Sequence, residues 1–161
     1  MRRLLLITVL GALACAGLPS AATARVLDET TIVPGRAIGQ ASVLGARVRI
    51  EERIGAGRLV KSVRTDFGRL VTYRYATGVD VTYRRGVAVA VLTKDRRYGT
   101  KKGIGVGATK ADLRRTYPSL DCLSATLCTL GELVPGARVT DFRFAKGRSK
   151  VVSVLVGVVL D

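Results

Sequence analysis

The sequence predicts an α+β fold: tandem helix-plus-antiparallel-strands repeats forming a curved antiparallel sheet with short helices on one face. Three observations predict it. Laid on itself without gaps, the stretch from Val43 brings Val43 onto Val106, Arg47 onto Lys110, Val48 onto Ala111, Ile50 onto Leu113 and Ile54 onto Tyr117. Further on, residues 80–86 match residues 141–147 in the same order, as expected of a repeated unit. Between positions 71 and 84, apolar Val71, Tyr73, Tyr75, Val79, Val81 and Tyr83 are separated from Thr72, Arg74, Asp80, Thr82 and Arg84, the alternation of a half-buried strand pair.

Residues 1–24 read as a secretory signal peptide. Arg2 and Arg3 precede an apolar run from Leu4 to Ala16, and Ala22-Thr23-Ala24 supplies a small-residue cleavage site, with cleavage expected after about Ala24. The run is too short for a transmembrane anchor. Cys15 follows Ala12-Leu13-Ala14, not the residue order of a lipoprotein site, so free secretion is the expectation.

The remaining chain divides into a first unit, 25–95, and a second, 96–161, in one domain. Residues 25–38 carry Pro34-Gly35 and no sustained period, and are expected to be a loosely packed entry segment. A short helix over 46–54 is indicated by Val48, Ile50 and Ile54 among charged neighbours, ended by Gly55 and Gly57. Four strands are expected near 58–65, 69–76, 79–84 and 87–94, with the charged stretch 95–102 as an exposed loop. The second helix, 110–117, opens at Thr109 with Asp112 three residues on, close to a capping box, and stops at Pro118. A cysteine loop, a short strand near 126–133 and strands at 138–145 and 151–160 complete the chain.

Charge bounds the partner. The chain holds 27 Lys and Arg against 12 Asp and Glu, net +15. Loss of residues 1–24 removes two arginines and no acid, leaving a mature net charge of +13. Such a field favours an acidic envelope protein or an anionic polymer. Specific nucleic-acid binding is not expected: Tyr73, Tyr75 and Tyr83 fall on the dry face, and no base-reading motif accompanies the arginines.

Chemistry is mostly excluded. The sequence has no histidine, which removes the usual general base and the commonest metal ligand. Cys122 and Cys128, the two cysteines left after maturation, read as a local disulfide in an oxidising compartment; two thiols alone do not complete a tetrahedral metal site. Asp80 and Asp141 hold matching positions, but each is expected on the wet face beside arginines, not as a catalytic pair. The glycines 103, 105 and 107 precede a helix without forming either a phosphate-loop or a dinucleotide fingerprint, and tight turning explains them. No cofactor, metal or enzyme activity is expected. The candidate site is instead a basic face: Arg64, Arg74, Arg84 and Arg143 projecting from one side of the sheet, with Arg96, Arg97, Lys101 and Lys102 clustered around Tyr98.

Several stretches carry a resemblance: Pro34 through Ile38-Gly39-Gln40, Val43-Leu44 and the helix, the pair around Tyr83-Arg84-Arg85-Gly86-Val87, Tyr98-Gly99-Thr100, the run 103–107, and Tyr117-Pro118 with Cys122. Together they resemble small exported proteins of high-GC Gram-positive bacteria. These are similar in turn to beta-lactamase inhibitory protein and, per repeat, to the small outer-membrane assembly lipoproteins (SmpA/OmlA-like). The family pattern has Thr before the first helix, where this chain has Ala46, so the side-chain cap is lost. The resemblance implies a sheet face that grips a protein partner, and no catalytic residue. The expected function is therefore an exported, non-enzymatic binding module of the cell envelope, with a charge-driven wall-polymer binder as the alternative.

Overall fold

The computed structural model describes residues 29–160; the expected signal peptide, its cleavage site and Cys15 lie outside the described residues. Three short strands come first, β1 (Thr31–Val33), β2 (Ala37–Ile38) and β3 (Ala41–Ser42). Helix α1 (Arg47–Ile54) follows, then β4 (Arg58–Thr65), β5 (Gly68–Arg74), β6 (Val79–Arg84) and β7 (Val87–Thr93). After β8 (Gly99–Thr100) come helix α2 (Lys110–Thr116), β9 (Asp121–Ser124), β10 (Leu127–Leu130), β11 (Arg138–Phe144) and β12 (Val151–Val158).

These strands form two sheets. The larger has the order β4-β5-β6-β7-β12-β11-β10-β9 with antiparallel neighbours throughout. The smaller runs β3-β2-β1-β8, and its β1–β8 pair is parallel. The expected α+β class is thereby corrected: 48% of the described residues are strand and 11% helix, so the protein is mostly β, not a helix-plus-strand repeat. The helices are only two turns long, and each buries a single residue, Ile50 in α1 and Leu113 in α2. Residues expected to be an entry segment and a linker instead supply β1, β2 and β8, and the cysteine loop supplies β9.

The core explains why sheet outweighs helix. Val81, Val91 and Val156 sit side by side across β6, β7 and β12, all fully buried, and Val154 and Phe142 continue the row into β11. Each such side chain contributes about 1.5–3 kcal/mol relative to exposure. The small sheet adds Ile32, Ile38 and Ala41 to the same cluster, and β2 and β3 touch β7 directly. A hydrogen bond from the Gly35 amide to Thr140 Oγ1, 2.8 Å, ties the turn after β1 to β11.

Local signals set the helix ends. Thr109 and Asp112 form a reciprocal capping box on α2, with the Asp112 amide donating to Thr109 Oγ1 and the Thr109 amide to Asp112 Oδ2, both at 3.2 Å. At α1 the N-cap is Ala46, which accepts nothing through its side chain; Arg47–Glu51 and Arg49–Glu52 ion pairs support that helix instead. Gly55 ends it at a φ of 82°.

Candidate functional site

In an antiparallel sheet, residues directly opposite one another project to the same side. Arg74 lies opposite Asp80, Arg84 opposite Leu70, and Arg143 opposite Ser153 and Leu127, all on the side away from the core valines. Two of these three arginines are answered by carboxylates. Arg74 clamps Asp80 through Nε and Nη2 at 2.8 and 2.9 Å, and Asp80 raises the guanidinium pKa by hydrogen bonding and by charge. Arg143 lies 3.7 Å from Asp141, whose other oxygen accepts from Thr129 Oγ1 at 2.9 Å. Asp80 and Asp141 are separated by β7 and β12 and each answers an arginine, so they form no carboxylate pair. Arg84 has no carboxylate partner among the described residues.

Arg64 is not on this face. A β-bulge between Leu59 and Lys61 inserts one residue into β4, and beyond it every side chain changes sides. Arg64 consequently lies opposite Arg69 and shares the inner side with Val71 and Tyr73. There it joins a constellation that sequence reasoning missed. Arg47, Arg64, Arg69 and Arg85 surround an open groove of about 490 Å³ whose floor is Val71, Tyr73 and Tyr83 and whose lining contains no carboxylate. The Arg47 guanidinium stacks 3.7 Å from the centre of the Tyr73 ring and is anchored by Glu51 at 2.9 Å. Arg69 Nε donates to Ser62 Oγ at 3.0 Å. Arg64, Arg69 and Arg85 have no acidic partner among the described residues.

The floor is neutral as well as aromatic. The Tyr75 and Tyr83 hydroxyls hydrogen-bond at 2.7 Å. Burial raises the pKa of both, and the bond to Tyr75 raises that of Tyr83 further. Positive walls with no carboxylate among them suit an anion.

The second predicted cluster is dispersed. Arg97 clamps Asp95 at 2.7 and 2.9 Å, lowering that carboxylate's pKa by hydrogen bonding first and by charge as well. Tyr98 is not a surface residue: it is 4% exposed and its hydroxyl donates to the Thr77 carbonyl at 2.7 Å. Lys102 stands 5.2 Å from the Tyr117 ring, and Lys101 is exposed. Arg96 belongs to a second groove of about 640 Å³, with Lys94, Arg148 and Lys150 and again no carboxylate in its lining. The two grooves lie at opposite ends of β7, about 20 Å apart for a seven-residue strand.

The remaining motifs are structural. Cys122 and Cys128 form a disulfide that joins β9 to β10, with Cα atoms 3.9 Å apart. In the glycine run, a Cβ on Gly105 would collide with the Tyr98 carbonyl, so that glycine permits the Gly99–Gly105 backbone contact. At the α2 start the Thr109, Lys110 and Asp112 amides already donate, to Asp112 Oδ2, the Ser149 carbonyl and Thr109 Oγ1 respectively. Among the described residues no group of three or more His, Cys, Asp or Glu is placed to hold a metal, and no helix is long and apolar enough to cross a membrane.

No protein-family model matches the chain, and no curated protein matches it in sequence. Among solved structures it is similar to the uncharacterized protein yfeY from Escherichia coli, at 11% identity over 81% of this chain and 98% of that one, with a TM-score of 0.48. A likeness at that level carries no function across.

Proposed function

We propose that the protein is an exported, non-enzymatic binding module of the cell envelope that engages an acidic partner protein. The observation that carries this reading is the groove of Arg47, Arg64, Arg69 and Arg85. Four guanidinium groups share one concavity with no carboxylate in its lining; Glu51 answers Arg47 from outside it, and Arg64, Arg69 and Arg85 have no acidic partner among the described residues. Gathering like charges weakens a fold unless an external anion balances them. The outer sheet face shows the contrast, since there Asp80 and Asp141 answer Arg74 and Arg143. The disulfide is compatible with an oxidising compartment, as the N-terminal sequence pattern leads one to expect.

A second reading, binding of an anionic wall polymer through charge, is favoured by the other groove, around Lys94, Arg96, Arg148 and Lys150. The two readings separate in one experiment: retention of the protein on its own organism's envelope fraction across a salt series, with cross-linking. A protein adduct that survives high salt and is lost in Arg64→Glu/Arg85→Glu supports the partner reading. Retention that fades steeply with salt, yields no discrete adduct and weakens equally when either groove is reversed supports the polymer.

A further inference from the structure

The large sheet ends in β4, which pairs with β5 on one side and, among the described residues, with no strand on the other. Seven of its eight residues are exposed. Its first part is blunted by the bulge at Val60, but from Lys61 to Thr65 it stays in unbroken register with Gly68–Thr72. Alternate residues of this five-residue run therefore turn an ordered row of backbone donors and acceptors away from β5. Lys61, Val63 and Thr65 project to the outer face, and Ser62 and Arg64 to the arginine groove.

Basic residues on an edge strand guard against self-pairing, and Lys61 and Arg64 serve that end. Arg69 and Arg85 do not. Arg69 is on β5, already paired on both sides, and Arg85 is in the β6–β7 turn, so neither protects an edge. They form a second cationic row behind the first. Charge also decides the occupant. Strand β4 carries Arg58, Lys61 and Arg64 and no acidic residue, so pairing with a second copy would set cation against cation.

Resting on the proposed acidic partner, we infer that the Lys61–Thr65 edge takes up an extended acidic segment of that protein as a ninth strand. Carboxylates at alternate positions lie over Arg64 and Arg69, and the intervening apolar side chains lie against Val63. The backbone ladder gives affinity, and the alternation gives selectivity.

The test uses the full chain and a fluorescein-labelled seven-residue peptide of alternating Glu and Val, followed by anisotropy at low salt. The same peptide N-methylated on either alternate set of amides, and a Lys/Val counterpart, complete the series. The expected result is saturable binding of the Glu/Val peptide and none of the Lys/Val peptide. Methylation of one amide set should weaken binding more than tenfold and methylation of the other less than twofold. Arg64→Glu/Arg69→Glu should weaken it more than tenfold with an unchanged circular dichroism spectrum. Equal effects of the two methylated peptides, indifference to the double reversal, or no binding would each overturn strand addition. Failure here with an envelope adduct still lost in Arg85→Glu removes the edge and leaves the groove as the partner site. Absence of any adduct or acidic binding removes both.

Discussion

The two ends of the large sheet are finished differently. At one end β9 has four residues, and its neighbour β10 is bound to it by the Cys122–Cys128 disulfide. At the other, β4 has eight residues, stands exposed, and among the described residues pairs with β5 alone. Both are edge strands and face the same hazard of uncontrolled pairing. The first is shortened and cross-linked; the second is kept long and coated with cations. An edge with no use beyond completing the sheet would gain from being short. The length and charge of β4 place the protein's unspent backbone bonds beside its unspent positive charge.

Mutations can break or sharpen this contrast. The largest expected effect is at Phe142, fully buried and stacked on Tyr117 in the half of the sheet that contains β9. Phe142→Ala should cost about 3–5 kcal/mol in a denaturant melt. Phe67→Ala, at the exposed tip of the β4–β5 hairpin, should stay within about 0.5 kcal/mol. Equal losses would mean that the hairpin belongs to the core. Next is the disulfide: Cys122→Ser/Cys128→Ser should lower stability by about 2 kcal/mol, the value for so short a loop, and leave binding of an acidic peptide unchanged.

A smaller effect is expected at the groove floor. Tyr83→Phe removes the bond to Tyr75 and should cost about 1 kcal/mol at neutral pH. The pKa values of Tyr75, Tyr83 and Tyr98 are raised in the fold, first by burial. Their share of stability is thus complete below the unfolded tyrosine pKa of about 10 and is lost as pH rises above it. Absorbance at 295 nm should show these phenols ionising only as the protein unfolds, and Tyr83→Phe should move that transition. The smallest effect is on the acid side. Asp112, held low by hydrogen bonds from Thr109 and by Arg115, and Asp95, held low by Arg97, contribute above the unfolded carboxylate pKa. That contribution falls away as pH drops through their lowered values, and Asp112→Asn should flatten the acid limb of a stability-against-pH curve.

What the sequence makes legible follows from interaction range. The capping box at Thr109, the boundaries of β4 and β6, and the split of Tyr73, Tyr75 and Tyr83 from Thr72, Arg74 and Arg84 all depend on neighbours within a few positions. The small sheet does not, because strands of two or three residues are too short to display a period and their pairing is distant. Arg64 faces the groove and not the outer side because one inserted residue inverts all that follow it, and the bulge leaves no mark in residue type. Tyr98 sits among charged residues that are exposed while its own ring turns inward to reach Thr77, which charge density alone does not reveal. The repeated helix pattern is conspicuous in the sequence, yet each helix buries one side chain, so it overstates the helices against the sheet.

The parallel pairing of β1 with β8 sets an order of events. Thr31 meets Gly99 and Ile32 meets Thr100, a separation of 68 positions, so the first strand has no parallel partner until residue 100 has been made. The hairpins of the large sheet close over far shorter loops and have a kinetic head start. The β1–β8 contact is therefore among the last to settle, and in pulse-labelled hydrogen exchange the Gly99 amide, which donates to the Thr30 carbonyl, should gain protection after those of β6 and β7.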